Sequence, residues 1–194
     1  MKPYQKILFP IIVAAQLFVL VFMIAKQELL LATGTKVLLK CEPIDPRSLF
    51  SGDYVILNYD ISTIGSDITS KSNISGIYKL EGKDIYVALN LRQNDMHHHI
   101  TAISDNLDEL KQNHSIIIRG RVEEIISNEV EGTGGGVEFQ LRVKYGVESY
   151  FVPQGEGKKI EDRLSKVSIE VSISDNGDST ISKLFIENQE VKFY

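Results

Sequence analysis

Three consecutive histidines, His97-His98-His99, follow Asp95 and Met96 and form the densest set of metal-capable, proton-exchanging groups in the chain. On an extended strand successive side chains alternate, so His97 and His99 share one face and His98 points away. Two imidazoles on one face suit a transition metal, with His114 or Asp95 as a third ligand. The chain has no HExxH run and no second histidine pair, and its one cysteine is Cys41. The familiar zinc sets are therefore incomplete: His97 and His99 stay as weak metal candidates, and no cofactor is expected. The bland alternative is an exposed polar edge or a surface that responds to pH.

Acyl-transfer chemistry is no better supplied. The nucleophile turn Gly-x-Ser-x-Gly is absent. A membrane-anchored serine–lysine signal peptidase would share the chain's layout. Aligning Leu49 and Gly52-Asp53 with that enzyme's run, however, puts Ile44 at the nucleophile position, and an alkyl group cannot attack a carbonyl. Ser48 and Ser51 are out of register, and neither Lys79 nor Lys83 has the spacing of a partner base. The acidic pairs Glu123-Glu124 and Glu161-Asp162 read as solvated charge.

Residues better suited to binding lie in two segments. The first runs from Pro43 to Tyr59, where Asp45-Pro46 fits the opening of a type I turn. Arg47 is within reach of Asp45 or Asp53 for a bidentate pair, and Gly52 can turn the chain into a strand. The second runs from Tyr145 to Gly157, with Phe151-Val152-Pro153 as a strand end. Its Gly155-Glu156-Gly157 lacks the full phosphate-loop pattern and reads as a turn before a short helix. Tyr54, Tyr59, Tyr145 and Tyr150 all fall in these segments. Tyrosine serves strand cores and binding surfaces alike. If the segments meet in space, the four tyrosines with Asp45, Arg47 and Asp53 line a candidate groove. Otherwise the first segment is a well-built loop-to-strand corner.

Gly52, Asp53, Tyr54, Leu57 and Tyr59 spell Gly-Asp-Tyr-x-x-Leu-x-Tyr. By this run the chain resembles the GDYXXLXY proteins, and Asp45-Pro46-Arg47 is similar to the family's preceding pattern. The segment from Tyr145 to Gly157, followed by Glu161, is similar to its other recurrent segment. There the chain carries Gln154 where the family pattern has an acidic residue, which weighs against a catalytic acid at this position. The resemblance implies a membrane-anchored exported bacterial protein and a polytopic membrane protein as its partner; it implies no particular activity.

These residues must be positioned by two kinds of element. Residues 7–25 carry no charge, which nearly meets the ~20 apolar residues needed to cross a hydrocarbon core. Pro10 is placed close to the helix start, where a missing N–H costs little. Lys2 and Lys6 put the N-terminus in the cytoplasm by the positive-inside rule. A cleaved signal peptide would need a small-x-small site soon after Ala25, and a lipoprotein would need small residues where Leu38-Leu39-Lys40 precede Cys41. Both readings fail, and residues 1–33 are read as a cytoplasmic tip with a retained anchor in the lipid bilayer.

Residues 34–194 have the period of strands. Val55, Leu57, Tyr59 and Ile61 take one face, with Tyr54, Ile56, Asn58 and Asp60 on the other. Residues 77–80 and 85–91 read as a hairpin about Glu81-Gly82-Lys83-Asp84, and residues 167–174 and 181–186 as a second about Asn176-Gly177. Gly120 reads as a bulge and Gly146 as a bend. Residues 62–75 and 129–136 read as polar loops, and helix is confined to a turn capped by Asn106 and to residues 158–164. The fold class is mainly β, an antiparallel barrel or sandwich behind a transmembrane helix. A net charge of −5 with no basic block outside the N-terminus gives no support for nucleic-acid binding. The expected role is a non-catalytic accessory or binding protein, with an envelope hydrolase built on the two segments as the alternative.

Overall fold

The computed structural model describes residues 3–43, 54–70, 72, 74, 76–130, 136–157, 160 and 163–193. The chain opens with helix α1 (Pro3–Thr33) and continues directly into strand β1 (Thr35–Glu42). From Leu8 to Thr33, α1 is long and apolar enough to cross a membrane. Pro10 lies inside the helix rather than at its start. The helix begins earlier, at Pro3, a residue whose missing N–H suits a first turn; Pro10 then costs one internal hydrogen bond.

The rest is mainly β and antiparallel, with one sheet curled into a half-barrel. Its strands are β2 (Tyr54–Ile56), β3 (Asn58–Tyr59), β4 (Thr63–Ile64), β5 (Asp84–Leu91), β6 (His98–Ser104), β7 (Ile117–Val130), β8 (Gly136–Lys144), β9 (Ser149–Phe151), β10 (Val167–Ile173), β11 (Ser179–Ile186) and β12 (Gln189–Val191). One sheet has the order β12-β11-β10-β1-β3, a second β4-β8-β7-β5-β6, and β2 pairs with β9 in a short ribbon. Alternation places the core. Val37, Leu39 and Cys41 of β1 pack with Val167, Ile169 and Val171 of β10. Ile85, Val87 and Leu89 of β5 join the same cluster, with Ile118 and Val122 of β7 and Leu141 and Val143 of β8. The other face of β5 and β7 offers Ala88 and Ile117, which Leu110 of helix α3 (Leu107–Lys111) covers. The side chain of Asn106 caps α3 by accepting from the Asp108 N–H. Glu109 instead accepts from Ser104 Oγ.

Several local expectations change. Residues 77–79 form a 3-10 turn, not a hairpin arm, because both edges of β5 are already taken by β6 and β7. Gly120 is in register opposite Ile85, and the bulge lies at Glu123. Gly120 answers a packing demand instead: a Cβ there would overlap Val143 and stand 2.9 Å from the Tyr145 ring. The stretch read as a polar loop after Ser62 holds β4 and a short helix, α2 (Ser66–Thr69), since Ile64 and Thr69 find buried places. The helix expected at residues 158–164 falls largely outside the described residues. The hairpin of β10 and β11 about Gly177, and the break between β8 and β9 at Gly146, are as the sequence suggests.

The end of α1 is fastened to this structure. Ser172 Oγ donates to the Leu30 carbonyl at 2.6 Å, and Lys36 Nζ reaches the Leu31 carbonyl at 2.6 Å. Lys26 Nζ pairs with Asp178 Oδ2 at 2.9 Å, whose other oxygen takes Arg119 of β7 at 2.6 Å. Gln27 bonds Thr180.

Candidate functional site

The two segments singled out in the sequence do meet. β2 and β9 pair with Tyr54 opposite Phe151 and Val55 opposite Tyr150, and the Leu57 N–H continues the contact to the Glu148 carbonyl. Two tyrosines then cross-tie the segments. Tyr59 Oη donates to the Val147 carbonyl at 2.5 Å, and Tyr145 Oη donates to the Ile61 carbonyl at 2.6 Å. Both rings lie in the core, Tyr59 0% and Tyr145 5% exposed. Burial, then the nearby Cys41 and Glu148, pushes the Tyr59 phenol up; burial, then Glu148 and Asp60, does the same for Tyr145. These hydroxyls are structural donors and line no groove. The Glu148 carboxylate closes the turn by accepting from the Tyr145 and Gly146 N–H groups at 2.5 and 3.0 Å.

Tyr54 and Phe151 point the other way. They are half exposed and pack edge to face with ring centroids 5.4 Å apart. Tyr150 is half buried and lies against Phe193. Asp45, Arg47 and Asp53, the charged members of the candidate groove, lie outside the described residues.

Beside this junction lies a polar cluster that joins the sheets. Asp60 follows Tyr59 directly, in a 3-10 turn over Asp60–Ser62. Its Oδ2 is 3.5 Å from His99 Nδ1, and His99 Nε2 is 2.7 Å from Asp95 Oδ2. Asp95 Oδ1 accepts from the His97 backbone N–H at 3.0 Å and stands 3.4 Å from His97 Nδ1. His97 Nε2 reaches Ser168 Oγ of β10 at 2.8 Å. His98 turns away from both neighbours, and its Nδ1 accepts from the Leu38 N–H of β1 at 3.2 Å. Among the described residues, no group of three or more His, Cys, Asp or Glu is arranged to hold a metal ion. His97 and His99 share Asp95, one on each of its oxygens, and their other ring nitrogens turn apart to Ser168 and Asp60.

A family model described as GDYXXLXY protein matches residues 16–184. The chain belongs to the GDYXXLXY protein family. No curated protein and no solved structure matches it. Among the described letters of the GDYXXLXY signature, Leu57 and the second tyrosine, Tyr59, are buried, while the first tyrosine, Tyr54, faces out. The described part of the signature thus serves both core and surface.

The residue that sequence reasoning missed in this GDYXXLXY protein is Asp60, read only as sharing a strand face with Tyr54, Ile56 and Asn58. Its Oδ1 is shut off from solvent and has no hydrogen-bond partner among the described residues. Burial raises its pKa, against the pull of His99. The available signal was an acidic residue beside a strand otherwise facing the core. Asp95 shows the opposite shift: the His97 backbone N–H first, then His99, hold its carboxyl below the ordinary range. The order Ser168–His97–Asp95 matches that of acyl-transfer triads. Ser168, however, is only 7% exposed, and β10 is paired on both sides, so neighbouring N–H groups are spent in the sheet. Cys41 is equally inert, its buried thiol pushed up to about 12. An open pocket of ≈ 310 Å³ lies beside the cluster, lined by Lys36, Leu38, Met96, His98, Glu170 and Phe185 among others.

Proposed function

We propose that this GDYXXLXY protein is a single-pass membrane protein and an accessory or binding subunit. Residues 1–6 lie in the cytoplasm, and residues 34–194 form an extracytoplasmic domain. The partner is a polytopic membrane protein, met in the bilayer by α1 and outside it by the aromatic face of the β2–β9 ribbon; an envelope ligand is the other candidate for that face. The observation that carries this reading is the Tyr54–Phe151 pair, half exposed on the ribbon where the two recurrent segments pair. Rigid aromatic groups with one face free are common binding anchors. Lys2 and Lys6 support the orientation.

A photo-cross-linking residue at exposed position 149 of β9, carried by both proteins compared, in native membranes and with co-purification through a C-terminal tag, tests it. A membrane protein captured by the wild type, and lost in a Tyr54→Ala/Phe151→Ala variant of equal abundance and thermal stability, supports the reading. Capture equal to that of an α1-only control refutes it.

A second reading, an envelope hydrolase, is favoured by Asp60. A half-buried carboxyl of raised pKa beside a histidine is the pairing that acid–base catalysts use. Turnover of ester or amide substrates that is lost in Asp60→Asn without unfolding would move the conclusion to that reading.

A further inference from the structure

Each of the three consecutive histidine rings bonds a different element, and only one of those bonds requires an uncharged ring. His97 faces Ser168 Oγ, an oxygen that accepts as readily as it donates, so a protonated ring keeps the contact. His99 lies between the carboxyls of Asp95 and Asp60, and charge strengthens that arrangement. His98 is different because its partner is the Leu38 backbone N–H. An amide N–H only donates, so Nδ1 must present a lone pair, which fixes the neutral Nε2–H tautomer. A proton on Nδ1 sets two donors against each other and breaks the bond.

That bond is a strut between the sheets. β10 pairs with β1 from Thr35 to Lys40, whereas β3 pairs with it only at Cys41 and Glu42. Among the described residues, Leu38 therefore has no strand of its own sheet on the second side, and His98 of β6 supplies the acceptor. The same imidazole, with Met96, lines the pocket of ≈ 310 Å³ over Leu38 and Phe185.

We propose that the His98–Leu38 bond is an acid-released latch that holds β6 and this pocket wall against β1. Burial first, and then the neighbouring His99 and His97, keep the His98 pKa below the ordinary imidazole value. The unfolded chain consequently takes up the proton first. The latch contributes fully above about pH 6.5 and is lost as pH falls from there through the lower folded value. The charged groups around it are few. Lys36 of β1 and Glu170 of β10 line the same pocket. His97 and His99 flank His98 in sequence; Asp95 and Asp60 face those two rings, and Glu42 bears on Asp60.

Hydrogen exchange of the Leu38 amide in the full-length protein, in lipid nanodiscs, tests the latch. Protection is compared at about pH 7.5 and about pH 5 after correction for intrinsic exchange. The wild type is expected to lose about fivefold protection on acidification, the equivalent of one net hydrogen bond. His98→Gln, whose amide oxygen accepts at either pH, is expected to keep its protection. In the wild type alone, the His98 ring and Leu38 amide resonances are expected to titrate with one midpoint. Protection that does not change between the two pH values, a His98→Gln loss equal to the wild type's, or separate midpoints would overturn the proposal.

Discussion

Removing the two phenolic hydroxyls that tie the recurrent segments together gives the sharpest test of how the signature works. Tyr59→Phe leaves the ring in place and deprives the Val147 carbonyl of its donor; Tyr145→Phe does the same to Ile61. Both donor rings are buried. Each change therefore loses a net bond and leaves a carbonyl to be satisfied another way, at a cost of about 1–3 kcal/mol. The two bonds join the same pair of segments, 59–61 to 145–147. Once one is gone, the segments can part and the second carbonyl can reach water. The double variant should then cost less than the sum of the singles by about 0.5–1 kcal/mol, the signature of coupled neighbours. Urea unfolding of the full-length protein in mild detergent, followed by far-ultraviolet circular dichroism, measures all three. Single costs under about 0.5 kcal/mol would show that the hydroxyls are not structural donors. Normal stability with lost partner capture would place them at a ligand instead.

Other perturbations follow from the same geometry. Gly120→Ala drives a methyl group into Val143 and the Tyr145 ring, and overpacking of this kind costs about 1–3 kcal/mol in the same unfolding assay. Cys41 should resist an aromatic disulfide reagent in the native protein and react at once in denaturant, because its thiol is buried and its pKa raised. Asp178 should matter for stability at neutral pH and not in acid. Its carboxyl is held below the ordinary value, first by Lys26 and then by Arg119, so the stability it confers is present above about pH 4 and lost as pH falls through the folded value. The difference in melting temperature between wild type and Asp178→Asn should shrink along that limb.

The strand pattern was legible because one face of each strand is buried. The alternation of Val37, Leu39 and Cys41, and the inward set of Val55, Leu57 and Tyr59, carry through to the core without a slip. The meeting of the two recurrent segments was legible only as a conditional, since pairing between strands so distant in sequence leaves no local trace. The false hairpin at residues 77–91 shows the same limit. Local turn residues were right, but β7, further along the chain, holds the edge of β5 that the hairpin needed. Tyr59 and Tyr145 were singled out only together with Tyr54 and Tyr150, because residue type could not tell a buried donor from a surface anchor. For the histidines, spacing foretold that His98 would diverge from His97 and His99. It could not foretell that the rings would find partners on β10, β1 and the Asp60 turn, because those partners arrive from elements distant in sequence.

The fastening of α1 to the β10–β11 hairpin makes the anchor a shaft rather than a tether. A flexible linker would let the β structure tumble and present every face in turn. Here the chain passes from Thr33 to Thr35 with one residue between helix and strand, and the joint is bonded on both sides. Rotation of the helix therefore swings the aromatic face with it. On the proposed reading, a residue within the span, such as Gln16, sets which neighbour the aromatic face meets without touching that face.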